Sequence, residues 1–291
     1  MESGWKAQSL TAGRLAKGIL LALRESKLDV EHLDLFADQD YCSAPLAVIP
    51  ACGNSVQGHF ATPGHDSLKR YEIWPHFSAV RHLSSSFTHH RGNPLPRCGS
   101  LTGQVWALQA LIEAMPNLES LTLHWYTLRR HTAEYVDTSI EQEWLNCSIF
   151  GLKLPSLRTL KLSGIHTRAA GLHTFLQNTS LTHLTLQELH LYSGAWKPLL
   201  EYISSADCTI SFLQLDDLFA EDRLIYFKVP GEPKFRSRGD AIGPSEITRK
   251  GAEVKEKLEY AFGKGRLLGS PEANRWSKER MRRYGPPDRM L

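Results

Sequence analysis

Thirteen histidines and five cysteines are the residues of this 291-residue chain best suited to metal chemistry, and their spacing argues against it. A structural zinc needs four donors converging at about 2.0–2.3 Å, usually supplied as close-spaced pairs. Cys52, His59 and His65 form one loose group and His89, His90 and Cys98 another, with no C-x-x-C or H-x-x-x-H pair in either. Nucleophilic catalysis fares no better. His65, Asp66 and Ser67 are sequence neighbours, whereas a triad is assembled by the fold, and no G-x-S-x-G elbow is present. Gly263-Lys264-Gly265-Arg266 lacks the downstream Gly-Lys-Ser/Thr of a phosphate loop. The acidic pairs Asp216-Asp217 and Glu221-Asp222 follow an apolar run and read as solvated loop charge. The expectation is a protein that is not an enzyme, with no catalytic residue, cofactor or metal.

Charge is unevenly spread. Residues 228–291 hold 16 Lys and Arg against 9 Asp and Glu, while residues 1–227 hold 18 against 22. The end of the chain places Arg275, Lys278, Arg280, Arg282, Arg283 and Arg289 around Trp276 and Tyr284. Such a pattern suits phosphate contacts with base stacking, or a nuclear-import signal. The plainer reading is a solvated basic tail, because the stretch is poor in aliphatic residues and contains Pro286-Pro287.

The elements that would position a site come from repetition. An apolar residue, two variable residues, Leu, one variable residue and Leu recur at Val30–Leu35, Leu118–Leu123, Leu157–Leu162, Leu181–Leu186 and Ile210–Leu215, and in degraded form over Phe77–Leu83. Period-two alternation within each copy turns the leucines to one side of a strand and the polar residues to the other. Helical spacing precedes several copies: residues 13–28, Leu101–Met115, Ile140–Leu154, Ala169–Asn178 and Trp196–Ser204. Pro116 and Pro155 separate helix from strand in two of them. The last central leucines, Leu160, Leu184 and Leu213, lie 24 and 29 residues apart, in or at the edge of the roughly 20–29-residue period of regular leucine-rich repeats. Earlier spacings are longer, so loop insertions are expected near residues 37–70 and 88–100.

The expected fold class is α/β: an irregular leucine-rich-repeat-like solenoid, with a parallel sheet on the concave face and helices on the convex face. It would span residues 1–227, followed by a basic, largely irregular region over 228–291, with one short helix between Val254 and Phe262. Scattered cysteines, odd in number, argue against a disulfide framework. No run approaches the roughly 20 apolar residues of a membrane span, so a cytoplasmic or nuclear protein without membrane contact is expected.

Met115–Leu123, Leu154–Leu162 and Phe175–Leu186, with Gly194-Ala195-Trp196 opening a helix, resemble the leucine-rich-repeat region of fungal F-box-type proteins over residues 101–216. The resemblance implies substrate recognition for ubiquitination and a ubiquitin-ligase adaptor as partner. The family's N-terminal docking module is not visible ahead of the repeats, so what carries over is recognition of a protein partner.

In such an array the variable positions face outward. Glu119, Thr122, His124, Arg158, Thr159, Lys161, Thr182, His183, Thr185, Gln187 and Gln214 are the candidate contacts, and Asp34, Thr122, Lys161, Thr185 and Gln214 align as one stripe. Mixed charge along the stripe argues against a nucleic-acid groove and for a protein. Trp125 and Tyr126 are candidate aromatic anchors beside it, whereas Trp106, Trp144 and Trp196 belong with helical core residues.

Overall fold

The computed structural model describes residues 2–26, 28–37, 39, 42–46, 48–49, 77–88, 101–126, 145–146, 148–221, 223–234, 243–262, 278–280 and 282–284, without side chains for 2–9 and 101–106. The chain is an α/β protein with mixed sheets. Its elements are α1 (Glu2–Ser26), β1 (His32–Leu35), β2 (Ala44–Pro45), β3 (His82–Thr88), α2 (Leu101–Glu113), β4 (Ser120–Trp125), β5 (Thr159–Ser163), β6 (His166–Arg168) and α3 (Ala169–Gln177). There follow β7 (His183–Gln187), β8 (His190–Ser193), α4 (Trp196–Ile203), β9 (Phe212–Asp216), β10 (Phe219–Ala220), β11 (Arg223–Phe227), β12 (Glu246–Lys250) and β13 (Tyr260–Phe262).

The larger sheet runs β1-β3-β4-β5-β7-β9-β12, with β2 also paired to β3. All its pairings are parallel except the last, β9 with β12. Leu33, Leu83, Leu121, Leu160, Leu184 and Leu213 stand opposite one another across six strands. A second inner row runs Leu35, Ser85, Leu123, Leu162, Leu186 and Leu215. Both rows share one apolar core with Leu108, Leu111 and Ile112 of α2, Leu172, Phe175 and Leu176 of α3, and Trp196, Leu199, Leu200 and Ile203 of α4. The i, i+3, i+4 spacing in these helices supplies the apolar stripe that the sheet needs to cover its inner face. Pro198 falls in the first turn of α4, where a missing N–H leaves no helical bond unmade.

The strands start two residues later than the apolar residue that opens each motif. Leu118, Leu157, Leu181 and Ile210 are buried, but they lie in the turns leading in. What registers successive modules is one carbonyl accepting two consecutive N–H groups from the next. Glu31 O takes Arg81 and His82, Arg81 O takes Glu119 and Ser120, Glu119 O takes Arg158 and Thr159, Arg158 O takes Thr182 and His183, and Thr182 O takes Ser211 and Phe212. Because every inner side chain changes face with a one-residue slip, this lock and the leucine rows enforce the same register.

A smaller sheet, β13-β11-β10-β8-β6, grows from the strand exits. Gly164, Glu188 and Asp217 each follow a main strand and take positive φ (70°, 50° and 50°). That left-handed residue turns the chain into β6, β8 and β10, which pair in parallel. These strands were not expected: His166-Thr167-Arg168 and Phe219-Ala220 carry no alternating apolar pattern.

Two further expectations need correction. Helix α1 extends over Glu2–Ser26, and among its described side chains Ala12, Ala16 and Leu20 are buried, while Leu15, Ile19 and the following Leu28 are exposed. Among the described residues after 227, strands and a helical segment stand where irregular chain was expected. Strand β12 covers the β9 edge in antiparallel register, and β13 pairs with β11. Between them Gly251–Lys255 form a 3-10 turn, so the short helix expected within Val254–Phe262 is instead a turn and a strand. Buried Ile247, Val254 and Leu258 hold this piece to the core. Of the helix expected over Ile140–Leu154, residues 145, 146 and 148 are helical and Leu152–Leu154 are not. Most of the loop insertions, and the His/Cys groups at 52–65 and 89–98, lie outside the described residues.

Candidate binding face

The outer face of the large sheet carries three rows of side chains, set by the register that makes the leucine rows. The first is His32, His82, Ser120, Thr159, His183 and Phe212; the second is Asp34, Ser84, Thr122, Lys161, Thr185 and Gln214; the third is Ser86, His124, Ser163, Gln187 and Asp216. Strand β12 prolongs all three with Lys250, Thr248 and Glu246.

Rows one and two are exposed or half-buried throughout. In the first, His32 stacks on His82 with 4.2 Å between ring centroids, and His183 stacks on Phe212 at 5.6 Å. Such in-register pairs are the usual unit of cross-strand stabilisation. The second row contains four of the expected contacts, Thr122, Lys161, Thr185 and Gln214, and adds Ser84, which the degraded copy at β3 had hidden.

The third row is different. Ser86, His124 and Ser163 are buried, and Gln187 and Asp216 are half-buried. Ser43 Oγ, Ser86 Oγ and His124 Nδ1 form a chain of hydrogen bonds at 2.5 and 3.1 Å, and Ser163 Oγ donates to Gln187 Oε1 at 3.3 Å. A serine beside a histidine is the first requirement of a nucleophile and base. Here the Ser86 side chain is sealed (0 % exposed), and the Tyr284 ring packs edge-to-face on His124 at 5.5 Å. His124 is therefore not an open contact.

Trp125 and Tyr126 are corrected outright. They are 1 % and 2 % exposed, because Trp125 follows Leu121 and Leu123 on the inner side of β4 and Tyr126 N–H donates to Phe87 O as the chain leaves the sheet. They are core, not anchors. Trp196 is core as expected, its indole N–H donating to Phe219 O at 3.0 Å. The Trp106 side chain and Trp144 lie outside the described residues.

No protein-family model, curated protein or solved structure matches the chain. The site must therefore be read from its chemistry alone. Among the described residues no group of three or more His, Cys, Asp and Glu side chains is placed to hold a metal. Among the same residues no helix is long and apolar enough to cross a membrane.

At the strand exits the third row meets an acidic ledge. Glu188 is 2 % exposed, and its Oε1 accepts from His190 Nε2 at 2.9 Å and from an Arg280 guanidinium N–H. Burial raises its carboxyl above the ordinary range, with Arg280 opposing. Asp216 and Asp217 stand beside it. Lys234 pairs with both and with Glu246, whose Oε2 lies 3.2 Å away. Burial first, then Asp217, raises the Asp216 carboxyl. Ser245 Oγ donates to Asp217 Oδ1 at 2.8 Å. Asp216-Asp217 is therefore not the solvated loop charge expected, and Glu188 joins it with no signal in the sequence.

Proposed function

We propose that the chain is a non-enzymatic protein–protein interaction scaffold, built as an irregular leucine-rich-repeat-like solenoid with its strands on the concave side and its helices on the convex side. In this reading it serves substrate recognition of the kind found in fungal F-box-type ubiquitin-ligase receptors, in the cytoplasm or nucleus. The observation that carries it is the alignment of Asp34, Ser84, Thr122, Lys161, Thr185 and Gln214 in one accessible row across six parallel strands. A row of short polar side chains with one acid and one base offers hydrogen bonds and shape, not a charged track. That chemistry suits a folded protein surface better than a phosphate backbone, which demands clustered Lys and Arg. The rival, a nucleic-acid-associated factor acting through the basic tail, is weakened because Arg280 is committed to Glu188.

The test is a photo-crosslinking residue placed at Thr185, on the row, or at Glu201, on the outward side of α4, in cells that express the chain natively. A discrete adduct from position 185, lost on adding Thr122→Arg or Gln214→Arg, is the expected result. Equal adducts from both positions, or none from either, refute the reading. Recovery of a ligase adaptor from the same cells decides the ubiquitination branch.

A further inference from the structure

Residues 278–280 and 282–284 form a helical segment that lies on the acidic ledge rather than in solvent. Arg280 and Tyr284, four residues apart, share one helix face. Arg280 donates to Glu188, and its guanidinium carbon lies 5.3 Å from the Phe219 ring centroid. Phe219 itself ends a ladder: His166 stacks on His190 at 4.5 Å, and His190 on Phe219 at 4.2 Å with 3° between planes. Tyr284 reaches the other end of the ledge. Its ring meets His124, and its Cδ1 lies 2.8 Å from where a Cβ on Gly164 would be. Burial, then the charges of Glu188 and Asp216, push its phenol well above the ordinary range. Glu279 accepts from Arg282 and Arg283 at 2.7 Å, so these two cations pair within the segment.

The ledge is built for a cation and a ring. A carboxylate 2 % exposed, with Oε2 lacking a partner among the described residues, is costly unless a positive group meets it. A missing Cβ at position 164 opens the slot that the ring fills. Yet the segment that satisfies both lies 92 residues beyond Glu188 and reaches the sheet with Arg280 and Tyr284. Tethering makes this docking an intramolecular event, which a partner in trans must outcompete.

We propose that this ledge is a docking site for helical peptides presenting Arg-x-x-x-Tyr, and that residues 278–284 occupy it in cis as a built-in competitor. A partner carrying the same Arg and Tyr spacing displaces the segment and takes over its contacts with Glu188, Phe219 and His124. The inference needs only the ledge and the segment, and it stands apart from the repeat reading.

A fluorescein-labelled peptide of residues 276–288 provides the probe, titrated by anisotropy into the full chain and its variants. Tethering supplies an effective concentration on the order of 1 mM. The wild type therefore binds the peptide weakly, and an Arg280→Ala, Tyr284→Ala double variant, whose ledge is empty, binds it about tenfold or more tighter. Adding Glu188→Gln to the double variant abolishes the gain, and a scrambled peptide of equal composition does not bind. Equal binding by wild type and double variant, or equal binding of the scrambled peptide, overturns the proposal. So does unfolding of the double variant in a thermal melt, which would make the segment part of the frame.

Discussion

His190 Nε2, at the start of β8, and Glu188 Oε1, on the turn before it, lie 2.9 Å apart, and the same oxygen receives Arg280. A buried carboxylate with the charges of Arg280 and Lys234 acting on it would normally be held ionised. Here burial outweighs them, and the carboxyl is raised from its ordinary value of 4.5.

The sign of the pH dependence follows. Folded Glu188 keeps its proton to higher pH than the unfolded chain does, so the folded state binds more protons above pH 4.5 and stability falls as pH rises through the folded value. Asp216 acts in the same direction. Glu259 and Glu279 are lowered by their Lys and Arg partners, and their contribution is lost only on acidification below that range. Urea unfolding at pH 5 and pH 7.5 should therefore show a slope that Glu188→Gln reduces. An unchanged slope would mean that this carboxyl titrates alike in both states.

Ser85 stands in the inner leucine row, between Leu35 and Leu123. It is 0 % exposed, and its Oγ has no hydrogen-bond partner among the described residues. A buried hydroxyl left unmatched costs roughly 1–3 kcal/mol. Ser85→Ala removes the group without adding volume, and should raise stability by about 0.5–1 kcal/mol. A loss of stability on denaturant unfolding would show that the hydroxyl has a partner after all.

The same serine explains why the repeat at β3 was hard to read. Five strands were legible because Leu-x-Leu carries its own face assignment, and the register across Leu121, Leu160, Leu184 and Leu213 follows from it. Strands β6, β8 and β10 were not, since their register is inherited from the turn before them rather than written in their two to four residues. Strand β12, Glu246-Ile247-Thr248-Arg249-Lys250, reads as solvated charge because an edge strand needs one buried residue and gains from charges that repel further pairing. The outer rows were legible in position but not in cover: nothing in the spacing places a residue as remote as Tyr284 over His124. Trp125 and Tyr126 failed for a simpler reason, as alternation counted one step further would have turned Trp125 inward.

Adjacent positions on β7 should respond in opposite ways. Leu184 is 0 % exposed among Leu160, Leu213 and the helices, whereas Thr185 is half-buried on the outer row. Leu184→Ala should cost about 2–5 kcal/mol through lost transfer energy and the cavity left behind. Thr185→Ala should stay within about 0.5 kcal/mol, as outer-face substitutions do. Comparable losses at the two sites in urea titrations would contradict the assignment of faces.

Gly164 tests the strand exit and the docked segment together. Its φ of 70° is left-handed, but Glu188 and Asp217 adopt 50° at the equivalent exits, so conformation alone does not demand glycine. Space does. A Cβ at 164 would collide with the Trp125 carbonyl oxygen and press on the Tyr284 ring. Gly164→Ala should therefore cost more than the roughly 1–2 kcal/mol of the backbone penalty. Part of that excess belongs to Tyr284 and should vanish when the ring is gone. In a double-mutant cycle with Tyr284→Ala, a favourable coupling of at least about 0.5 kcal/mol is expected. Strict additivity would place the ring elsewhere and leave Trp125 as the sole reason for glycine.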